Sequence, residues 1–586
     1  MHPLNLLYDA CRSGNASEVL CLISEDLEKG SLSKLSSFIN VEEDEDKQTC
    51  LIASLSGGFL EVAKILIQTA GSDIDLPDSL NGHAPLFTAS SVGSLSLVEW
   101  LVEHGSDLNK VGVFDGGSPL IVACSGNHLG VARYLLHAGA RVDQNDNIGF
   151  TPLSLSSMEG HHEVVKLLLA DGASVDQAMN DGATPLTLSS QNGHVEVVKL
   201  LLAKDADVDQ ADATGWTPLL LSSQAGHIEV VKLLLAKNAN VNQAMDDGDT
   251  PLTLSSQNGH AEVVKLLLAK DADVDQADTT GFTPLSLSSM DGHSEVVKLL
   301  LANGAKVDQA KNDGATPLTL SSQNGHAEVV KLLLAKVEKV DQAKNDGATS
   351  LTLSSQNGHA EVVKLLLAKD AKADQANNLG ATPLIMSSEG GHEEVVKLLL
   401  AKDEKADQAN NLGATPLIMS SRNGHAEVVK LLLVKGATVN QAKNDGFTPL
   451  FISSQKGHQE VVKLLLTKGA DVYQASNQGN TPLSVSRLNG HQEAVELLLA
   501  RIATIRRFAI LSAIHQVRLR PPIIPPSQLL SLLANTPDDC VRVVLEFLGE
   551  EVVETTEQKL LRLERVEKRN KELRMENAEL RRRMRN

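Results

Sequence analysis

The feature that most constrains this 586-residue chain is a threonine that recurs every 33 residues, eleven times from Thr151 to Thr481. Most of these threonines open a Thr-Pro-Leu triplet, and Gly-His follows nine and ten residues later. An apolar run, such as residues 197–202, then completes each unit. A fixed period of this length predicts a solenoid of small stacked units rather than the single core of a globular enzyme.

The unit that begins at Asp181 shows how the pattern specifies local structure. Asp-Gly is a turn dipeptide and suits the tip of a hairpin. Thr184 can cap a helix through its hydroxyl, and Pro185 fits the first helical position. We expect Gly193 to end this first helix in the left-handed conformation. A second helix is predicted over about residues 195–204, with apolar side chains on most of its circumference.

This pattern resembles the ankyrin repeat, whose signature reads Thr-Pro-Leu-His-x-Ala-Ala, then Gly-His, then a Val-Val-x-Leu-Leu-Leu helix. The resemblance covers about residues 1–500 and implies an all-α repeat solenoid of about 15 stacked helix-pair units with hairpin tips. Two departures are systematic. Thr187 and its equivalents replace the signature histidine, and Ser-Ser replaces Ala-Ala. Serines that bond back to the preceding turn should weaken each unit slightly. Ser350, which replaces proline in one unit, should weaken that unit too.

The periodicity and its interruptions predict six segments. These are a divergent N-terminal capping unit with an acidic insertion (1–48), divergent ankyrin units (49–150), near-identical units (151–500), a basic helix that helps to cap the array (501–520), a proline-rich linker with short helices (521–555) and a coiled coil (556–586). The insertion contains the acidic run 42–46. We interpret this run as a solvated loop, with a specific acidic binding element as the alternative.

Charge is distributed unevenly along the chain. The formal net charge is −21, but residues 501–586 hold 17 Lys and Arg against 12 Asp and Glu, a surplus of +5. Residues 1–500 therefore carry −26. An acidic array repels a phosphate backbone, so we expect no nucleic-acid binding. A protein partner with a basic or mixed surface is favoured instead.

Cysteine usage and hydropathy indicate the compartment. The five cysteines, at positions 11, 21, 50, 124 and 540, are odd in number and lack metal-ligand spacing. Such usage is typical of free thiols in a reducing compartment. The chain opens without a secretory pattern, and no apolar run approaches the ~18–20 residues that cross a bilayer. We expect a cytoplasmic protein without a membrane partner, with the nucleus as the alternative location.

Candidate binding residues lie at two positions of the unit. Residues immediately before the repeated threonine, and residues seven after it, should face the concave side of a helix-pair solenoid. The candidates at these positions are Phe150, Trp216, Asp249, Phe282, Phe447, Met158 and Met290. Exposed aromatic side chains often anchor interfaces. The alternative is that the rings pack against the neighbouring hairpin, and that the second row is ordinary solvated helix surface.

The repeated histidines do not predict a metal site. One histidine per unit gives a row separated by the stacking distance, too wide for two of them to share a zinc ion at about 2.0–2.1 Å. We expect each histidine to make a structural hydrogen bond at the end of a first helix. The sequence shows no phosphate-binding loop, nucleophile elbow or paired-cysteine zinc pattern. We therefore expect neither catalysis nor a cofactor.

Residues 556–586 follow a heptad pattern that predicts a parallel two-stranded coiled coil. The two core registers hold Leu563, Asn570 and Asn577, and Val566, Leu573 and Leu580. Asparagine at a core position costs stability but favours two parallel strands in one register. The expected result is a parallel homodimer, and the alternative is a solitary solvated helix.

Two functions follow from this organisation. The leading interpretation is a non-enzymatic scaffold that binds a protein on its concave face and is dimerised by its tail. The alternative is a substrate adaptor of a ubiquitin ligase. Residues 536–548 resemble the first helix of an F-box, although Thr536 stands where leucine is usual. Residues 518–533 are loosely similar to the end of a SOCS box, but the preceding elongin-type motif is missing.

Overall fold

Each described Thr-Pro-Leu triplet begins a helix in the computed structural model, which describes residues 3–28, 49–78, 82–402 and 405–519. Thr184 is representative, because its backbone is extended while its Oγ1 accepts a hydrogen bond from the Thr187 backbone N–H at 3.2 Å. Pro185 occupies the first helical turn, where the missing N–H has no helical partner to lose. Gly193 follows this helix at φ +75°, and a Cβ there would lie 2.7 Å from the ring of His227.

Fifteen pairs of helices follow one another in the described ranges, and we number the pairs as repeats 1 to 15. The first helices are Pro3–Ser13, Cys50–Ser56, Pro85–Val92, Pro119–Ser125, Pro152–Met158, Pro185–Gln191, Pro218–Ala225, Pro251–Gln257, Pro284–Asp291, Pro317–Asn324, Ser350–Gln356, Pro383–Gly390, Pro416–Asn423, Pro449–Lys456 and Pro482–Leu488. The second helices are Ala16–Glu28, Leu60–Gln68, Leu95–Glu103, Leu129–His137, His162–Ala170, Val195–Ala203, Ile228–Ala236, Ala261–Leu268, Ser294–Ala302, Ala327–Leu334, Ala360–Ala368, Glu393–Ala401, Ala426–Val434, Gln459–Thr467 and Gln492–Leu519. These ranges contain no β-strand, and the predicted all-α repeat solenoid of about 15 units is confirmed.

The chain divides into two compact units. One comprises residues 1–354 and 361–371, and the other comprises residues 355–360 and 372–586. The division falls in repeat 11, whose first helix starts at Ser350 instead of the proline that starts the first helix of repeats 3 to 10 and 12 to 15. Within each unit, the first helices pack on one another more extensively than the second helices do.

The residue that replaces the signature histidine completes the helix cap. In repeat 6 the Thr187 Oγ1 accepts the Thr184 backbone N–H at 2.7 Å, and the Thr184 Oγ1 accepts the N–H of Thr187 in return. Two N–H groups that lack a partner within the helix, those of Thr184 and Thr187, are thereby satisfied. The same reciprocal box forms in other repeats with Ser154, Thr253, Ser286, Thr319 and Ser484. Loss of the histidine therefore leaves helix initiation intact.

The second helix supplies most of the aliphatic core of each repeat. In repeat 6, Val197, Val198, Leu201 and Leu202 are buried. Full burial of such a side chain contributes about 1.5–3 kcal/mol relative to its exposure. Aliphatic packing of this kind holds the repeat together with few aromatic side chains, which are 3% of the sequence.

The Ser-Ser pair is buried in every near-identical repeat except repeat 15, where Arg487 replaces the second serine. In repeat 7 the Ser222 Oγ donates to the carbonyl of Pro218 at 2.8 Å, as expected for serine within a helix. Its neighbour Ser223 is also buried, but its hydroxyl has no hydrogen-bond partner. The same is true of Ser157, Ser190, Ser256, Ser289, Ser322, Ser355, Ser388, Ser421 and Ser454. One desolvated hydroxyl per repeat therefore opposes folding.

Hydrogen bonds between hairpins link successive repeats within each unit. The Asn180 side chain donates to the carbonyl of Asn147 at 2.9 Å, and the Asn444 side chain donates to the carbonyl of Asn411 at 3.2 Å. These bonds join residues 33 apart, so they repeat with the period of the sequence. They fix each hairpin tip relative to its neighbours, and thereby hold the surface formed by the hairpins in place.

The last described helix, Gln492–Leu519, is longer than the other second helices. It continues without a break through residue 501, so the described part of the predicted basic helix (501–519) belongs to the second helix of repeat 15. No described helix is both long enough and apolar enough to cross a membrane. The acidic insertion and the whole segment after residue 519 lie outside the described residues.

Candidate functional site

The residue before each repeated threonine lies at the base of a hairpin, next to the start of a first helix. Backbone pairing fixes this position, since the Phe150 carbonyl accepts the Asp146 N–H at 2.9 Å and the Trp216 carbonyl accepts the Asp212 N–H at 3.0 Å. The side chains of Phe150, Trp216 and Phe282 are half-buried. Their backbones are therefore held in place while part of each ring is accessible to solvent.

The aromatic rings also contact neighbouring residues. The Lys311 Nζ, from the following hairpin, lies 4.5 Å from the centre of the Phe282 ring. The Phe447 ring stacks on Phe451 with 4.4 Å between ring centres, and the Lys443 Nζ lies 5.6 Å from it. Packing against neighbours and partial exposure therefore coexist at these two rings. Their role in partner binding stays a prediction.

The structure does not bring the predicted aromatic residues of repeats 5, 7 and 9 into one cluster. Each ring is separated from the next by a repeat that carries Ala183 or Asp249 at the same position. Asp249 is half-buried, and burial raises its pKa, with further increases from the carboxylates of Asp247 and Asp278. Phe447 belongs to the other compact unit. These residues form a spaced series and not a pocket.

Met158 and Met290 lie at or near the ends of first helices, and both are half-buried. Their carbonyl oxygens accept hydrogen bonds from histidines of the next repeat, with Nε2–O distances of 2.8 Å for His194 and 2.9 Å for His326. The predicted structural hydrogen bond at the end of the first helix is therefore confirmed. Sequence reasoning missed that it joins two repeats.

The same bond between repeats recurs along the described chain. The donors are His128, His161, His194, His227, His260, His293, His326, His392, His425, His458 and His491, each bonded to a carbonyl 36 or 37 residues earlier. A carbonyl can only accept, so Nε2 carries the proton in these bonds. No group of three metal-ligating side chains occurs among the described residues.

An apolar groove in repeats 13 and 14 is the feature that sequence reasoning missed. Its cavity volume is about 300 Å³, and it opens to solvent. The apolar residues that line it are Leu412, Ala414, Ile418, Met419, Phe447 and Ile452. A sequence signal was available, because repeats 12 to 14 carry Ile-Met, Ile-Met and Phe-Ile where repeats 6, 8 and 10 carry Thr-Leu.

The polar rim of this groove is cationic. Arg422 and Lys456 are exposed near the ends of the two first helices, and Lys443 comes from the hairpin between them. No carboxylate lines the cavity, although Asp445 lies just outside it and pairs with Lys443 at 3.0 Å. Burial would raise the pKa of Asp445, but Lys443 and the Phe447 N–H together lower it. Arg422 and Lys456 are therefore the cations that an incoming anionic group would meet first.

Several predicted residues lie outside the described part of the chain. These are the coiled-coil residues Leu563, Val566, Asn570, Leu573, Asn577 and Leu580. The F-box-like segment 536–548 also lies there. None of the four described cysteines, at positions 11, 21, 50 and 124, is in a disulfide bond.

Comparison with known proteins agrees with this architecture. A family model for ankyrin repeats, in sets of three copies, matches residues 7–112, 86–179, 172–245, 237–311, 307–377, 367–443 and 433–508. No curated protein matches the sequence. Among solved structures, the ankyrin repeat domain of human ASB11 is 28% identical, with a TM-score of 0.36, and the match covers 38% of this chain and 98% of that domain. From residue 7 to residue 508, the chain belongs to the ankyrin repeat family, which generally consists of non-enzymatic protein-interaction modules.

Proposed function

We propose that this chain is a non-enzymatic scaffold that binds a protein partner on the surface formed by its hairpin bases and the ends of its first helices. The observation that carries the proposal is where otherwise near-identical repeats differ. The residue at the hairpin base changes from Phe150 to Ala183, Trp216 and Asp249 in four successive repeats. The Val-Val and Leu-Leu-Leu residues of the second helix, of which both valines and the middle leucine are buried in each case, stay the same over those repeats.

The proposed contact residues in the first unit are Phe150, Trp216 and Phe282, with Asp249, Met158 and Met290 beside them. Partly exposed rings on a fixed backbone bury apolar area on binding with little loss of conformational entropy. The −26 charge of residues 1–500 favours a partner with a basic or mixed surface. In the second unit, Phe447 is the equivalent proposed contact.

The experiment that tests this surface uses a variant built from the array's own residues. Alanine occupies the hairpin base in repeats 6, 10 and 11, so F150A, W216A and F282A together keep a residue type that this fold accepts. We expect the triple variant to retain its helical circular dichroism but to capture fewer proteins from a cell lysate, as measured by quantitative mass spectrometry.

The matched control variant carries K166A, K199A and K232A. These three lysines are exposed on the second helices of repeats 5, 6 and 7. Its captured proteins should resemble those of the unmodified chain. If the aromatic variant captures the same proteins in the same amounts as this control, the proposed aromatic contacts are wrong.

We further propose that the segment 556–586 dimerises the scaffold through a parallel coiled coil. Support comes from the heptad spacing of Leu563, Leu573 and Leu580 and from Asn570 and Asn577 in the same core. Two arrays on one dimer raise avidity for a partner that presents two sites. Sedimentation equilibrium of the full chain should give a dimer mass, and L573D with L580D should give the monomer mass. A monomer mass for the unmodified chain would remove this part of the proposal.

A second candidate function is a substrate adaptor of a ubiquitin ligase. It rests on the resemblance of residues 536–548 to the first helix of an F-box and of residues 518–533 to the end of a SOCS box. Co-precipitation of cullin-type ligase subunits with the full chain, lost in a variant with V544D and F547D, would support it. Equal recovery from the unmodified chain and this variant would contradict it.

A further inference from the structure

The first helices of repeats 13 to 15 carry a basic residue in their last turns, in contrast to those of repeats 5 to 12. Arg422, Lys456 and Arg487 are exposed in or near the last turns of three successive first helices. The corresponding last turns in repeats 5 to 12 contain no Lys or Arg. A cationic row therefore lies on an array whose overall charge is strongly negative.

An apolar row lies on the hairpin side of the same region. Leu379 and Leu412 occupy equivalent hairpin positions and are 72% and 66% exposed. Repeats 6, 10, 11 and 14 carry aspartate at this position, which is the usual choice for a solvated hairpin tip. Leu412 continues directly into the groove, where Ile418, Met419 and Ile452 form the floor. Because Leu412 is continuous with an apolar groove, these exposed side chains favour an interaction surface in this region.

The size of the groove limits what it can hold. Its volume of about 300 Å³ lies at the low end of the ~300–1,000 Å³ that ligand pockets span. Such a space fits one large apolar side chain and not a folded element. The basic and apolar rows, however, continue over neighbouring repeats. A ligand that contacts both rows must therefore be extended along the array.

We propose that repeats 12 to 15 bind an extended acidic peptide segment and that one large apolar side chain of this peptide enters the groove. The inference rests on the proposed scaffold function and names the chemistry of a partner for the second unit. Carboxylates of the peptide pair with Arg422, Lys456 and Arg487, because Lys443 is already paired with Asp445. The acidic remainder of the array repels the same peptide, which restricts it to this site.

The test uses the full chain and a random library of short peptides displayed on phage. The enriched set should include peptides that combine several Asp or Glu with at least one large apolar residue. A synthesised, fluorescently labelled member of the enriched set then serves as the probe in anisotropy titrations. The decisive variant is R422Q with K456N, which installs the residues that repeats 6, 8 and 10 carry at these positions. We expect this variant to weaken binding of the probe by about tenfold or more.

One control variant and one further groove variant separate the groove from general effects. K430Q with K463Q removes two exposed positive charges from the second helices of the same repeats and should leave affinity for the probe within about twofold, because exposed charges distant from a ligand are screened. I418T with M419L installs the Thr-Leu of repeat 8 in the groove floor. This variant should weaken binding of the probe although Arg422 and Lys456 are retained.

Each other outcome overturns the inference. The absence of acidic peptides from the enriched set, or equal loss of affinity in R422Q/K456N and K430Q/K463Q, would do so. If binding of the enriched peptides depends on Phe150, Trp216 and Phe282 instead, the proposed scaffold function stands and the assignment of the peptide to the groove is wrong. A labelled single-stranded oligonucleotide is the second probe. If it binds in a groove-dependent way and acidic peptides do not, the occupant is a nucleic acid and the peptide assignment is wrong.

Discussion

The Nε2 atom of His194 lies 2.8 Å from the carbonyl oxygen of Met158, and the two residues belong to successive repeats. The donor stands immediately before a second helix, and the acceptor ends the first helix of the preceding repeat. The carbonyl of a helix end has no partner within its helix. The histidine therefore satisfies a helix end and joins two repeats with the same hydrogen bond.

Removal of the His194 side chain should weaken the contact between repeats 5 and 6. We expect H194A to lower the local opening free energy of repeats 5 and 6 by about 1 kcal/mol, the usual net value of a hydrogen bond. Hydrogen exchange measured by mass spectrometry, on peptides from residues 152–203, would show the change. H162A is the control, because His162 is exposed and makes no such bond to another repeat. Equal effects of the two substitutions would contradict the role given to His194.

The unsatisfied serines predict a stabilising substitution. Ser223 is buried with no partner, so S223A should raise the stability of repeat 7 by about 1 kcal/mol, since an unpaired buried hydroxyl costs about 1–3 kcal/mol. S222A serves as the matched comparison, because the Ser222 hydroxyl already donates to the Pro218 carbonyl. Urea denaturation, with the unfolding of repeat 7 monitored by hydrogen exchange, would compare the stability of this repeat in the two variants. A lower stability for S223A than for S222A would show that Ser223 has a partner in solution.

Repeat 11 offers a second stabilising change. Ser350 starts its first helix, where repeats 3 to 10 and 12 to 15 have proline, and its buried hydroxyl has no partner. We expect S350P to stabilise the helix Ser350–Gln356, with about 0.4–1 kcal/mol from reduced freedom of the unfolded chain. Slower hydrogen exchange across residues 349–356 would report this. S350A removes the hydroxyl alone. If S350A stabilises the helix as much as S350P does, the stabilisation comes from loss of the hydroxyl and not from the proline ring.

One carboxylate predicts a pH dependence in repeats 3 and 4. Burial would raise the pKa of Asp115, but hydrogen bonds from the Gly117 N–H and from His83, at 2.8 Å, lower it below its ordinary value. A lowered pKa in the folded state contributes stability above about pH 3.9, the value in unfolded peptides, and this contribution disappears as the pH falls through the folded pKa. Local stability around residues 112–117 should therefore decrease below about pH 4.

The variant D115N checks this assignment. It removes the titrating group, so hydrogen exchange of residues 112–117, corrected for the intrinsic exchange rate, should lose its acid-dependent component between about pH 5 and 3. An unchanged acid dependence in D115N would mean that other carboxylates cause it.

Local sequence signals predicted most of the fold. Thr184 and Pro185 specified where a first helix starts, and Gly193 specified where it ends, because caps and positive φ angles depend on a few neighbouring residues. The number of repeats followed from counting these signals. The reciprocal cap by Thr187 was not predicted, because the ankyrin signature has histidine at this position.

Features that depend on the neighbouring repeat were less predictable. No local signal indicated that His194 bonds to Met158, because the two are 36 residues apart and meet only when repeats stack. The groove at Ile418 and Met419 likewise depends on how two repeats pack. Its only advance sign was the change from Thr-Leu to Ile-Met in repeats that are otherwise alike.

The hydrogen bond from each histidine to the preceding repeat has an evolutionary consequence. Its acceptor is a backbone carbonyl, which any amino acid can provide, and the residue that provides it is Met158, Gln191, Glu389 or Arg422 in different repeats. Mutation of that side chain leaves the acceptor in place. Natural selection can therefore change the character of this surface one repeat at a time, from methionine to glutamine to arginine, without changing the bond that holds adjacent repeats together.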